Sequence, residues 1–274
     1  MTLNEFFKEN PKTALAFSGG VDSSYLLYAA RQAGAEVHAY YVKTAFQPEF
    51  EYEDAMGLAK QLGAQVTVLR LNALSDPQVA ANPANRCYYC KQNIFGNIWR
   101  AARADGFTVL LDGTNASDQA GDRPGMKALQ ELQVRSPLRE AGLTKAMIRE
   151  KSREAGLFTW NKPAYACLAT RIPTGVTITE EDLARTEWAE SYLMNLGFSD
   201  LRVRLLGTCA RVQLPENQMD KFMEQREMKD TGASDLSPES GNKPSGDIFV
   251  FRNLFRRGKP WYTEFKVINQ EVPL

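Results

Sequence analysis

The sequence predicts an α/β protein: a doubly wound parallel sheet followed by a smaller C-terminal α+β domain. Three observations carry this. Through the first 111 residues, short apolar runs alternate with segments of helical periodicity, the pattern of a parallel sheet covered on both faces. A glycine-bearing loop, Phe17-Ser18-Gly19-Gly20, joins the first apolar run to the first periodic segment. Beyond a stretch rich in Pro and Gly, the order changes to helix, strand, strand.

Residues 13–17 form a short apolar strand, and 23–33 carry helical periodicity that stops at Gly34. A second strand is expected over 37–42, a helix over 51–62 with a stop at Gly63, and a third strand over 65–71. A helix over 88–104 then leads to a fourth strand at 108–111. Ligands of such sheets bind at the carboxyl ends of the strands. Thr144 has the character of an N-cap for a helix over 145–155, ended by Gly156. Residues 160–175 read as a functional loop and domain junction. A helix over 180–196 and strands over 201–205 and 210–214 follow. The expected domains are 1–158 and 159–228, and 229–274 is a linker and C-terminal segment without an assigned role. Within it, 229–247 is polar and rich in Ser, Gly and Pro, and 261–268 offers one last strand. There are no internal repeats.

A chain of 274 residues can bury a core without disulfides or metal to hold it. Lys and Arg number 33 and so do Asp and Glu, so no overall field draws in nucleic acid, which argues against such a partner. The polar start, Met1-Thr2-Leu3-Asn4-Glu5, lacks the regions of a signal peptide, and no apolar run reaches bilayer length. A cytoplasmic protein without a membrane partner is expected. The single histidine, His38, leaves no room for a His-based zinc site and reads as a strand residue within 36–42.

Ser18-Gly19-Gly20-Val21-Asp22-Ser23-Ser24 follows a strand and opens a helix. The glycines let backbone N–H groups approach an anion, the serines add hydroxyl donors, and the helix N-terminus favours negative charge. It is not a Walker loop, because no Gly-Lys-Ser/Thr follows, and the glycine spacing is wrong for a dinucleotide fingerprint. A plain Gly-Gly turn is the competing explanation. The string resembles the pyrophosphatase-type loop of enzymes that split ATP between its α and β phosphates and form an adenylate. That resemblance implies an ATP site at Ser18, Gly19, Gly20, Asp22, Ser23 and Ser24, with Asp22 holding Mg²⁺ on the pyrophosphate. Gly113, in the loop 111–118 that closes the fourth strand, and Thr44, just past the second, are further candidates for that nucleotide.

Four cysteines in such a chain are not a disulfide framework. Cys87 and Cys90 form a C-x-x-C pair at a helix start, where the dipole, Arg86 and Lys91 favour thiolate. A lone pair of this kind fits a redox couple, half a zinc site or part of an iron–sulfur site. Cys167 lies in a loop, an odd place for a filler cysteine, and the three together could hold three irons of a 4Fe–4S cluster. A three-cysteine zinc site, or no metal, is also open. Cys209 reads as a small strand residue.

Several segments together resemble the LarE family, sulfur transferases that help build the nickel-pincer nucleotide cofactor of lactate racemase. They are the phosphate loop, Arg86-Cys87-Tyr88-Tyr89-Cys90-Lys91, Asp112-Gly113-Thr114-Asn115, Arg123-Pro124-Gly125 and Val134-Arg135-Ser136-Pro137-Leu138. Further along come Thr159-Trp160-Asn161-Lys162-Pro163, Ala166-Cys167-Leu168-Ala169-Thr170-Arg171-Ile172-Pro173 and Arg202-Val203-Arg204. The match runs in order over residues 12–214. It implies a PP-loop domain with a smaller C-terminal domain, assembled as a homo-oligomer. It also implies a reaction: ATP adenylates a carboxylate of pyridinium biscarboxylic acid mononucleotide, and sulfur then replaces AMP to give a thiocarboxylate.

In that family the position of Cys167 is the sulfur donor and the catalytic cysteine, alongside Asp22. Some members sacrifice that cysteine's own sulfur and are left with dehydroalanine; others add the C-x-x-C pair and carry a cluster. Cys87, Cys90 and Cys167 place this chain with the second group, with a 4Fe–4S cluster as cofactor beside ATP and Mg²⁺. Arg171, Arg202 and Arg204 are candidates for binding the phosphate or carboxylates of the substrate, since guanidinium forks match both. The resemblance leaves the sulfur source unnamed. Three departures stand out: Gln213 where relatives often have an acidic residue, an altered run 117–122 in which Asp122 takes the acidic place, and a tail after Met228 unlike the family's ending. Competing functions on the same fold are a tRNA thiolase with a cluster and an amidating ligase.

Overall fold

The computed structural model describes residues 1–118, 124–207, 209–222 and 249–252 of the chain. Helix α1 (Leu3–Glu9) precedes the first strand and was not expected. Its signal was present as a capping box: Glu5 N–H donates to Thr2 Oγ1 at 3.2 Å, and Thr2 N–H donates to the Glu5 carboxylate at 2.8 Å.

Strands β1 (Lys12–Ala16), β2 (Glu36–Lys43), β3 (Val66–Arg70) and β4 (Leu110–Leu111) form one parallel sheet in the order β3-β2-β1-β4. The expected fourth strand over 108–111 shortens to its last two residues. The sheet edge continues instead through an isolated bridge from Leu111 to Arg135, with Arg135 N–H donating to Leu110 O and Asp112 N–H to Arg135 O, each at 2.9 Å. A single bridging residue has no period to read, so sequence reasoning missed it.

Helices α2 (Val21–Gln32), α3 (Glu49–Gln61), α4 (Pro77–Ala80) and α5 (Arg86–Ala104) follow in order. They are joined by α6 (Pro124–Glu131), α7 (Pro137–Glu140) and α8 (Lys145–Glu154). Thr144 caps α8 as expected, accepting from Met147 N–H at 3.4 Å. Successive side chains on a strand point to opposite faces, and the core follows that rule. Leu15 and Tyr41 join Leu26, Leu27, Leu58 and Ile148 on one face. Ala14, Tyr40 and Val42 join Phe95, Ile98 and Trp99 on the other.

The described residues divide into two compact units: Met1–Cys167 with Thr174–Glu180, and Leu168–Pro173 with those from Glu181 onward. In the second, α9 (Glu180–Asn195) is followed by an antiparallel sheet of β5 (Arg202–Leu206), β6 (Cys209–Gln213) and β7 (Phe249–Arg252), in the order β5-β6-β7. Strand β7 was not expected; four residues are too few for a clear alternation, and their pairing with β6 decides their state. The expected linker 229–247 and last strand 261–268 lie outside the described residues. No helix among the described residues is long and apolar enough to cross a membrane.

Candidate functional site

Between β1 and α2 the chain turns through Ser18-Gly19-Gly20. Gly19 adopts φ +73°, and a Cβ there would meet Ala55 Cβ of α3 at 2.5 Å, so only glycine fits. Ser23 Oγ accepts from Ser18 N–H at 3.3 Å and lies 3.0 Å from Ser18 Oγ, while Gly20 N–H donates to Ser18 Oγ at 3.3 Å. Two hydroxyls and the free end of α2 thus converge on one short loop. Ser24 faces inward, fully buried, with a hydroxyl that has no hydrogen-bond partner among the described residues.

Gly113 packs against this loop: a Cβ would stand 2.9 Å from Ser23 N and 3.3 Å from Asp22 Cβ. The same 112–118 segment is tied to α8, because Ser117 Oγ accepts from Lys145 N–H at 3.0 Å. Asp112 is fixed in turn by Ser136 Oγ, which donates to its carboxylate at 2.6 Å. The result brings Lys145 Nζ to 2.6 Å from Asp22 Oδ2. Among the described residues, Asp22 Oδ1 is buried without a partner. Burial pushes the Asp22 carboxyl above its ordinary value, and the hydrogen bond and charge of Lys145 oppose that shift. A buried, unpartnered carboxylate oxygen beside an anion loop fits Mg²⁺, which is held through one or two carboxylates plus phosphate oxygens.

A cleft of about 420 Å³ opens here, lined by Ser18, Gly20 and Asp22 of the phosphate loop, by Tyr40, Val42, Phe46 and Ile98, and by Cys167. Thr44 is buried and spends its hydroxyl locally, donating to Gln47 Oε1 at 2.8 Å and accepting from Phe46 N–H at 3.0 Å. The first turn of α5 carries Cys87, exposed, and Cys90, half-buried; Cys167 is half-buried too. Arg86 Nη2 lies 4.0 Å from Cys167 Sγ, and its Nη1 donates to Asn82 Oδ1 at 2.7 Å. Burial, reinforced by Cys167, pushes the Cys90 thiol up to about 12, although Arg86 and Lys91 pull the other way. The expectation that the flanking cations make this pair thiolate therefore fails at Cys90. Three thiols suit an iron–sulfur group chemically. As arranged they do not fit one: among the described residues, no group of three His, Cys, Asp or Glu side chains could hold a metal ion.

The second unit holds the arginines. β5 and β6 pair Arg202 with Gln213 and Arg204 with Arg211, so these four share one sheet face while Val203, Leu205, Ala210 and Val212 are buried on the other. Arg204 donates to Gln213 Oε1 at 2.7 Å and to Thr170 O at 2.8 Å. Burial lowers its pKa, and Arg171, Arg202 and Arg211 add to the effect. Arg211 Nε is buried without a partner among the described residues. Arg171 is buried in an ion pair with Glu190, 2.8 Å from Nε to Oε1. Asp122 lies outside the described residues.

Sequence reasoning missed Lys145, Lys162, Glu51, Asp54 and Arg211. Lys145 did leave a signal, a cation in the first turn of a helix, where the macrodipole disfavours it. Lys162 lines the cleft with its Nζ 3.0 Å from Glu51 Oε2 and 2.7 Å from Asp54 Oδ2. Among the described residues, Glu51 Oε1 is buried without a partner.

Residues 12–86 match the family model described as queuosine biosynthesis protein QueC. An uncharacterised protein of Synechocystis sp. is 38% identical over 224 residues, 81% of this chain and 83% of the relative. The pyridinium-3,5-bisthiocarboxylic acid mononucleotide synthase of Lactiplantibacillus plantarum is 36% identical over 224 residues, 81% of each chain. An uncharacterised protein of Methanocaldococcus jannaschii is 29% identical over 225 residues, 82% of this chain and 85% of the relative.

Proposed function

The chain belongs to the LarE family of PP-loop sulfur transferases, and from that premise we propose how it works: ATP adenylates a carboxylate of pyridinium biscarboxylic acid mononucleotide, and sulfur presented at Cys167 displaces AMP. The observation that carries this is one cleft lined by both the phosphate loop and Cys167.

In the first step a carboxylate oxygen of the substrate bonds to the α-phosphorus of ATP, the bond to the bridging oxygen breaks, and pyrophosphate leaves. Ser18 and Ser23 hydroxyls, backbone N–H groups of Gly19 and Gly20, and the start of α2 receive the phosphates. A Mg²⁺ held through Asp22 would supply positive charge to the departing pyrophosphate. A carboxylate oxygen leaves poorly; the mixed anhydride makes AMP the leaving group. In the second step the Cys167 sulfur bonds to the activated carbonyl carbon, and the C–O bond to AMP breaks. With Cys167 as its own donor, loss of the Cα proton to solvent then breaks Cβ–S, releasing the thiocarboxylate and leaving dehydroalanine. The 4Fe–4S cluster suggested by the sequence enters no step. Arg202 and Arg204, with Arg211, bind the anionic groups of the substrate, whereas Arg171, expected from the sequence to join them, is buried and spent on Glu190; the like-charged cross-strand pair Arg204–Arg211 supports this, since an anion relieves its repulsion. The family resemblance supports a homo-oligomeric enzyme of the cytoplasm.

Incubation with Mg·ATP and the pyridinium substrate tests the reading. AMP and pyrophosphate are expected, and ADP in their place would overturn it.

A further inference from the structure

Cys167 sits on a segment with little regular structure of its own, yet that segment is pinned at several points in the first unit. Residues Phe158–Asn161 form one 3₁₀ turn. Arg149 of α8 donates to Trp160 O within it at 2.7 Å and to Lys162 O just after it at 2.8 Å, fixing the backbone from one side. From the other side α3 holds the side chains. Lys162 Nζ bridges Glu51 and Asp54 at 3.0 and 2.7 Å and lies 5.8 Å from the centre of the Phe50 ring. Phe50 and Tyr165 meet edge to face at 5.1 Å. Lys162 and Glu51 are only 12% and 14% exposed, so this ion pair is largely shielded from solvent and salt. The neighbouring α3 residue Ala55 is the one that crowds Gly19, so α3 braces the phosphate loop and the cysteine segment together.

We propose that Lys162 is a positioning residue: its bridge to Glu51 and Asp54 latches the 162–167 segment to α3 and holds the Cys167 sulfur at the cleft. This rests on Cys167 being the sulfur site. Glu51 and Asp54 exceed Lys162 by one negative charge, so the lysine is held firmly, and removing it leaves two like charges to repel each other. Adenylation does not need the latch, because the phosphate loop that serves it is held by its own hydroxyl and backbone contacts. Sulfur transfer does, because misplacing a reacting atom by about 1 Å can cost roughly 10²-fold.

The test compares the wild-type chain with Lys162→Met, Lys162→Arg and the double variant Glu51→Gln/Asp54→Asn. Two readouts are taken: AMP against thiocarboxylate formed from Mg·ATP and the pyridinium substrate, and the rate of iodoacetamide labelling at Cys167 without substrate, resolved by peptide mass. Lys162→Met and the double variant are expected to lose thiocarboxylate by roughly 10²-fold more than they lose AMP. Both should label faster at Cys167, and Lys162→Arg should restore both readouts. A parallel fall in AMP would overturn the latch, since Lys162 would then act on the nucleotide. Unchanged labelling and transfer would overturn it as well. If the double variant alone folds, it decides the question by the same criteria. A wild-type chain that forms no AMP would sink the transferase reading, while the labelling arm still judges the latch.

Discussion

Lys145 places its Nζ 2.6 Å from Asp22 Oδ2 and leaves Asp22 Oδ1 buried and without a partner among the described residues, so one carboxylate is half-neutralised and half-open beside the phosphate loop. That division of labour makes Asp22 the most exacting residue of the adenylation step. Asp22→Asn keeps the volume and removes the charge. It is expected to lower AMP release by at least about 10²-fold, the scale of losing one electrostatic contact to a developing charge. Folding should be kept, which circular dichroism checks. AMP release at the wild-type rate would remove Asp22 from the chemistry.

Gly19→Ala meets two obstacles, a positive φ and the α3 backbone, with Ala55 Cα 2.8 Å from the added carbon. A loss of about 1–3 kcal/mol in stability is expected, measured as a lower urea midpoint, together with weaker ATP binding. Gly34→Ala, where φ is +75° but the space is open, separates strain from clash and should cost less.

Arg211→Gln removes the like charge opposite Arg204 and a buried donor without a described partner. Stability is expected to hold or rise by about 0.5 kcal/mol, while affinity for the pyridinium substrate falls and ATP affinity stays level. Equilibrium dialysis with each ligand checks this. Unchanged substrate affinity would reduce the arginine face to a surface feature.

Arg135 closes the sheet edge and donates from Nε to Glu140 Oε1 at 2.9 Å. That hydrogen bond, more than any charge effect, holds the Glu140 carboxyl below its ordinary value. A depressed folded pKa means that the pair's stabilisation is present above the ordinary carboxylate range. It is lost as pH falls through the folded value. Glu140→Gln should therefore lower the urea midpoint at neutral pH, and the gap to wild type should close below about pH 4. A gap that ignores pH would assign the effect to packing.

Freed of metal, the chain is expected to surrender the sulfur of Cys167 itself. After one transfer, residue 167 should be dehydroalanine and the intact mass about 34 Da lower, the H₂S equivalent removed from the side chain. An unchanged mass alongside thiocarboxylate would return the sulfur to a group held by Cys87, Cys90 and Cys167, the arrangement the sequence suggests.

The periodic parts of this molecule were legible in the sequence. The alternation of β1 to β4 with their helices followed from apolar spacing, and the loop at Ser18–Ser23 from local chemistry. What sequence reading missed was set by tertiary partners. Arg135 joins the sheet through one residue, and β7 exists because β6 pairs with it. Lys145 and Lys162 are separated from Asp22 and Glu51 by 123 and 111 positions, so no spacing links them. The shift at Cys90 went astray for a related reason: Arg86 and Lys91 are visible in the string of letters, but the burial that outweighs them is not.

Single-turnover product analysis of Cys167→Ala tests the central claim most directly, because it separates the two steps at the one side chain that joins them. With Mg·ATP and the pyridinium substrate, the variant is predicted to release AMP and pyrophosphate as the wild-type chain does and to form no thiocarboxylate. Thiocarboxylate at the wild-type level from this variant, or ADP in place of AMP, would contradict the account.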